Sequence, residues 1–277
     1  MGRNDSGSAT ECATNQGVND ERTHRWPPRN ATSEGVPDVS VDPAVDRPGA
    51  LDGPPPRLIV FDVNETLSDM SVLQERFADV GASPALAGTW FASLLRDGFA
   101  LTVTGANPDF ADLAATSLGA TLRAKGLADV DLAVGRVMEA FTGLPVHHDV
   151  VDGIRALTAL GIRLVTLSNG STAVAEALFE RNGLSANFER LLSVQDAPAW
   201  KPARAAYEYA LDVCEVAPGE AMLVAAHPWD IHGARQVGMA TAFINRAGAT
   251  YPNYFDGPDV EVTSLGQFAA LLTETAP

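Results

Sequence analysis

Leu58-Ile59-Val60-Phe61-Asp62-Val63-Asn64-Glu65-Thr66-Leu67 decides the fold: four consecutive apolar residues run straight into a carboxylate and a polar turn. The run is too short for a helix and reads as a buried strand. Four similar runs follow, at Arg163-Leu164-Val165-Thr166-Leu167, Arg190-Leu191-Leu192-Ser193-Val194, Ala221-Met222-Leu223-Val224 and Thr241-Ala242-Phe243-Ile244. Helical patterns lie between and after them, near residues 151–160, 172–182, 203–214, 230–237 and 264–273. Gly161, Gly183 and Gly238 stand where helix C-termini prefer glycine. Alternating strands and helices predict an α/β fold, a parallel sheet with helices on both faces.

The alternation breaks between Leu67 and about Pro145. That segment holds no strand pattern, only helical stretches near 71–79, 85–103, 108–125 and 129–141. Three or four helices inserted after the first strand would cover the C-terminal edge of the sheet, where open α/β sheets bind ligands. The expected division is a disordered N-terminal tail over residues 1–56, a core over 57–68 and 146–277, and a helical cap over 69–145. The tail is rich in Gly, Pro, Asn, Asp and Ser and ends in Gly53-Pro54-Pro55-Pro56.

The composition, 46% hydrophobic over 277 residues, suffices for one substantial core. No apolar stretch is long enough to span a membrane, and the N-terminus lacks a secretory pattern. Cys12 and Cys214 form no disulfide framework, which fits a reducing cytoplasm. A formal charge of −16 argues against nucleic acid and anionic membranes as partners. An anionic substrate would then depend on local cations and helix N-termini. A homodimer is compatible with the sequence.

Polar residues follow four strands in turn. Asp62 ends the first, Ser168 and Asn169 the second, Lys201 follows the third, and His227-Pro228-Trp229-Asp230 follows the fourth. A carboxylate, a hydroxyl with an amide, an amine and a second carboxylate thus meet at one edge, a set suited to covalent catalysis by a carboxylate. Asp62 would be the nucleophile, and Lys201 would keep it ionised and aimed. Ser168, Asn169 and the amides opening the next helix would cradle an anion. Asp230 would hold Lys201 or assist a water. Thr66 either caps the turn after the first strand or acts with Asp62. His227 is either a water-activating group or a hydrogen-bonded loop residue.

The order Asp-x-x-x-Thr, Ser-Asn, Lys-Pro and a late Asp resembles the haloacid dehalogenase superfamily over roughly residues 57–273. The resemblance implies a Rossmann-like sheet with a helical cap inserted after the first strand. Most of that superfamily transfers phosphoryl groups with Mg2+, using a second Asp two residues after the nucleophile and a metal-binding Asp in the last motif. Here those positions are Asn64 and Ala226, so the resemblance points to the L-2-haloacid dehalogenase branch, with no metal and no cofactor. Tyr207, six residues after Lys201, and the pair Trp229-Asp230 match that branch. They imply substrate-binding roles for Tyr207 and Trp229, and a halide-binding role for Asn169 with a cap arginine, for which Arg96 is the candidate. Ala225 and His227 depart from the serine and asparagine of the usual last motif. The implied reaction is displacement of halide from a small anionic 2-haloacid by Asp62, then hydrolysis of the ester. The rivals are a phosphatase of the same superfamily and a catalytically weak small-molecule-binding member.

Overall fold

The computed structural model describes residues 54–275; the expectation of a disordered tail falls almost wholly on residues outside that span. Strands β1 (Leu58–Phe61), β2 (Arg163–Ser168), β3 (Arg190–Ser193), β4 (Ala221–Ala225), β5 (Ala240–Ile244) and β6 (Val260–Val262) form one sheet. Their order is β3-β2-β1-β4-β5-β6, with every pairing parallel. The strand order reverses between β1 and β4, so the crevice where such sheets bind ligands opens beyond Phe61 and Ala225. The expected α/β parallel sheet is therefore the fold found. β6 was not anticipated. It is three residues long, at the sheet edge, with Glu261 partly exposed between two buried valines, too short for its alternation to register.

Successive strand residues point to opposite faces. Leu58 and Val60 join one apolar cluster and Ile59 and Phe61 the other, and all four are fully buried. A parallel sheet of this kind needs cover on both sides. Within the helical insertion lie α1 (Leu73–Asp79), α2 (Leu86–Val103), α3 (Phe110–Ala124) and α4 (Val130–Thr142). Five helices belong to the sheet: α5 (Val150–Ala159), α6 (Thr172–Arg181), α7 (Arg204–Cys214), α8 (Pro228–Arg235) and α9 (Leu265–Thr275). Leu58 and Val60 share their cluster with α7 and α8, through Ala206, Tyr207, Leu211, Ile231 and Ala234. Ile59 and Phe61 share theirs with α5, α6 and α9.

The insertion buries its aromatic residues against the segment that carries Lys201. Trp90 packs against Phe77 and Phe141, and its indole N–H donates to Ser117 Oγ at 3.1 Å. Phe110 stacks between Phe141 and Trp200, with ring centroids 5.7 and 5.5 Å away. The Trp200 indole donates to the Pro108 carbonyl at 3.0 Å, and Asn107 Nδ2 donates to the carbonyls of Val194 and Ala197. Trp200 also leans on Gly98 of α2 so closely that a Cβ there would stand 2.2 Å from its ring.

This packing gives paired expectations for two helix glycines. Gly98→Val should cost about 1–3 kcal/mol through overpacking of Trp200, read from urea unfolding. Gly135→Ala, in open space on α4, should instead add about 0.5–1 kcal/mol by the helix propensity it restores. Equal effects at both positions would rule out the close Trp200 contact as the cause.

Candidate active site

Strand β1 delivers Asp62 to the crevice, where its backbone N–H bonds the Val224 carbonyl of β4 at 3.0 Å. The side chain is nearly buried and held from two sides. Lys201 Nζ donates to Oδ1 at 2.8 Å, and Thr66 Oγ1 donates to Oδ2 at 2.6 Å. Thr66 in turn accepts the Ala226 N–H at 2.9 Å, so its hydroxyl links the nucleophile loop to the β4 loop. Burial alone would push the Asp62 carboxyl up. The charges of Lys201 and His227 and the two side-chain hydrogen bonds outweigh it and keep this group below its ordinary value, ionised and able to attack.

Lys201 is wholly buried between two carboxylates, with Asp230 Oδ2 at 2.6 Å on its other side. Desolvation would lower its pKa, but Asp230 and Asp62 overcome that and raise it. Its main chain is seated by Asn169, whose Oδ1 accepts the Lys201 N–H at 2.9 Å and whose Nδ2 donates to the Lys201 carbonyl at 3.2 Å. The fully buried Asp230, in the first turn of α8, spends its remaining oxygen on the Tyr207 hydroxyl at 2.6 Å. Burial and the Asp62 charge push Asp230 up against the pull of Lys201. Gly233, one turn along α8, leaves the room Tyr207 needs, since a Cβ there would stand 2.5 Å from the phenol oxygen.

Asp62, Thr66, Lys201, Asp230, Asn169, Tyr207, Trp229 and His227 therefore converge, though not all as expected. Tyr207 is fully buried behind Asp230, its phenol pushed well above the ordinary range by burial and the carboxylates. It backs the ion-pair cluster, which leaves it no face for a substrate. Asn169 is committed to the backbone of Lys201. Trp229, half-buried, stacks on the His227 ring at 5.0 Å and stands 5.9 Å from Lys201 Nζ, a wall of the site. The Ser168 hydroxyl accepts the Gly170 N–H at 2.9 Å and shapes the turn into α6. Arg96 is not brought to the site. It lies on the exposed face of α2, paired with its neighbour Asp97, because Trp90, Phe91, Leu94 and Leu95 take the inward face.

Two residues that went unnoticed in the sequence stand at the site. Glu65 adopts a left-handed backbone, φ 62°, and its carboxylate lies 3.5 Å from His227 Nε2. Arg246, just past β5, donates from Nε and Nη2 to the Thr66 carbonyl and from Nη1 to Asp149 at 2.9 Å. It clamps the nucleophile loop from behind. A charged residue just beyond a strand was the only sequence signal for Arg246; nothing local distinguished Glu65.

The nucleophile loop borders two openings. Val63 and Asn64, with Ser168, Gly170 and Ser171, line a recess of about 30 Å3 against Phe110, Met138 and Phe141. Glu65, with Ala226 and His227, borders a cavity of about 460 Å3 whose walls include Met70, Leu73, Phe91 and Phe243. A magnesium ion does not suit this donor set. Magnesium wants several oxygen ligands in octahedral geometry, whereas the Lys201 ammonium fills the gap between the carboxylates and Ala226 offers no side-chain oxygen. Among the described residues no three His, Cys, Asp or Glu side chains gather as a cage, and no helix is long and apolar enough to cross a membrane.

Known proteins resemble this chain in sequence and fold. A family model described as haloacid dehalogenase-like hydrolase matches residues 56–238. The chain is 32% identical to (S)-2-haloacid dehalogenase 4A of Burkholderia cepacia over 221 residues, 79% of this chain and 95% of that protein. It is 30% identical to the (S)-2-haloacid dehalogenase of Pseudomonas sp. strain YL over 221 residues, 79% of this chain and 94% of that one. A solved structure of a dehalogenase with an intermediate complex matches with a TM-score of 0.75 at 30% identity, covering 79% of this chain and 98% of the other. The protein is a hydrolase and belongs to the haloacid dehalogenase-like family.

Proposed function

We propose that the protein hydrolyses the carbon–halogen bond of a small 2-haloacid through a covalent ester on Asp62. The observation that carries this reading is a buried nucleophile kept charged by the Lys201 ammonium and the Thr66 hydroxyl. Lys201 and Thr66 hold one oxygen each of Asp62. Halide departs as an anion and requires no proton. A phosphate ester would need an acid for its leaving oxygen, and Asn64, two residues beyond the nucleophile, cannot supply one. The (S)-2-haloacid dehalogenase relatives support the same substrate class.

In the first step Asp62 attacks the 2-carbon, the carbon–halogen bond breaks, and the substrate centre inverts. Water then attacks the Asp62 carbonyl carbon, so the configuration set in the first step is kept in the 2-hydroxy acid released. The substrate carboxylate faces the N-terminus of α6, where Ser171 caps no N–H with its side chain and the dipole favours an anion. The recess there is small, about 30 Å3, and is walled by Phe110, Met138 and Phe141.

Four outcomes test this reading. Assayed with chloroacetate and each 2-chloropropionate enantiomer, halide release from chloroacetate and the reactive enantiomer should persist in EDTA and vanish in Asp62→Asn. A single turnover in oxygen-18 water followed by mass spectrometry should place the label in Asp62. Release that requires Mg2+, or label found only in the product, would sink the covalent route. Lys201→Met should abolish activity and cost about 3–5 kcal/mol at neutral pH, because it strands two buried carboxylates. That deficit should shrink as the pH falls and protonation removes the stranded charges. Met138→Ala should widen the α6 recess and lower KM for 2-chlorobutyrate relative to chloroacetate; an unchanged ratio would place the substrate elsewhere.

A further inference from the structure

Ester hydrolysis needs a base that water can reach, and the buried groups do not offer one. Asp230 is fully buried with one oxygen on Lys201 and the other on Tyr207. Thr66 Oγ1 donates to Asp62 and accepts from Ala226. The other side of Asp62 is different. His227 Nε2 lies 3.8 Å from Asp62 Oδ2, 3.5 Å from Glu65 Oε2 and 3.2 Å from the Asn64 carbonyl oxygen. All three neighbours are acceptors, so this nitrogen carries a proton and donates. Asp62 thus sits between two partnered carboxylates: Asp230 with Lys201, sealed from solvent, and Glu65 beside the His227 N–H, bordering the 460 Å3 cavity.

The backbone at Glu65 makes the placement more pointed. Its φ of 62° is a conformation that glycine adopts freely and that costs other residues on the order of 1 kcal/mol. The strain brings a carboxylate, 43% exposed at its side chain, to the His227 ring beside the nucleophile. His147 Nε2 pairs with the Glu65 carbonyl oxygen at 3.0 Å and fixes the same turn.

We propose that Glu65 is the general base of the second half-reaction, with His227 positioning it and the attacking water; this rests on the haloacid reading above. Water from the cavity donates a proton to Glu65 as its oxygen bonds the Asp62 carbonyl carbon. The bond between that carbon and the alkyl oxygen then breaks, and the departing alkoxide takes the proton back from Glu65. Asp62 is left as a carboxylic acid and loses the water's second proton to solvent, restoring the ion pair with Lys201. With the alkyl group on Oδ2, the Lys201 ammonium bonded to Oδ1 stabilises the oxyanion between these steps. Burial raises the Glu65 pKa against the opposing pull of His227, and this contribution remains in the ester, where the Asp62 charge is absent, strengthening Glu65 as a base. Asp69, His147 and Arg246 also line this cavity and contribute to its field.

The test compares the wild type with Glu65→Gln, Glu65→Gly and His227→Asn on the reactive 2-chloropropionate enantiomer. Both Glu65 variants should release about one halide per enzyme at the wild-type first-turnover rate, then stall. Intact-protein mass spectrometry should show the ester, and steady-state kcat should fall by about 100-fold or more. Glu65→Gly should unfold at the wild-type temperature or above, which separates lost chemistry from lost stability. Wild-type deacylation should fail as pH drops through the raised Glu65 pKa, since the carboxylate is the active form. Glu65→Gln should lose that acid limb, and His227→Asn, without the charge that lowers Glu65, should move it to higher pH. Unchanged kcat and pH profile in Glu65→Gln, or loss of the first-turnover halide release, would overturn the assignment of Glu65 alone. A wild type that releases no halide from any haloacid would overturn the haloacid reading and this inference with it.

Discussion

An ammonium sealed from water between two carboxylates is costly unless every partner is in place. At Lys201 the partners come from three separate parts of the fold. Asp62 is set by the end of β1 and its bond to β4, Asp230 by the first turn of α8, and the Lys201 backbone by Asn169 after β2. Each support has its own support. Tyr207 holds Asp230, Gly233 makes room for Tyr207, and Trp200 is anchored by α2 and α3. The tolerance of the cluster is therefore small, and residues with no access to substrate, such as Gly98 and Gly233, bear on the nucleophile through packing alone.

The cluster also divides the surroundings of Asp62 by access to water. The Lys201 side is dry, and its electrostatics are strong because nothing screens them. The Thr66 and His227 side borders an open cavity with Glu65 at its rim. A nucleophile benefits from the dry side, where its charge is fixed and aimed. Hydrolysis of the ester benefits from the wet side, where water is available next to a proton acceptor. Placing the two carboxylic neighbours of Asp62 on opposite sides lets one serve structure and the other proton transfer.

Much of this was legible in the sequence because its signals are local. Five of six strands announce themselves as apolar runs, and the residues ending them are those the sheet order brings together. What was missed depends on geometry that spacing does not carry. β6 is too short to show a period. Arg96 fails on helix phase: on α2 the inward face is taken by Trp90, Phe91, Leu94 and Leu95, which leaves position 96 outside. Tyr207 matches the expected spacing but lies behind Asp230, where only packing could place it. Glu65 depends on a left-handed φ, and Arg246 on a contact across 180 residues to the Thr66 carbonyl. Neither leaves a mark in a linear pattern.

The acidity of the chain bears on where an anionic substrate can approach. Around Asp62 the formal charges of Asp62, Asp230 and Glu65 exceed those of Lys201 and His227, and Arg246 is matched by Asp149. The Glu65 side sets a carboxylate beside His227 at the rim of the open cavity, where water is available. The α6 side presents unpaired N–H groups at a helix N-terminus and a mostly apolar recess, which suits an anion with a short alkyl body. On the proposed reading, a haloacid bound there would have its 2-carbon toward Asp62 and its charge away from Glu65. Once the ester forms, the Asp62 charge is gone and the field around Glu65 and His227 is relieved of one neighbour. On that reading, charge on Asp62 suits it for displacement, and its neutralisation in the ester leaves a carbonyl carbon open to water.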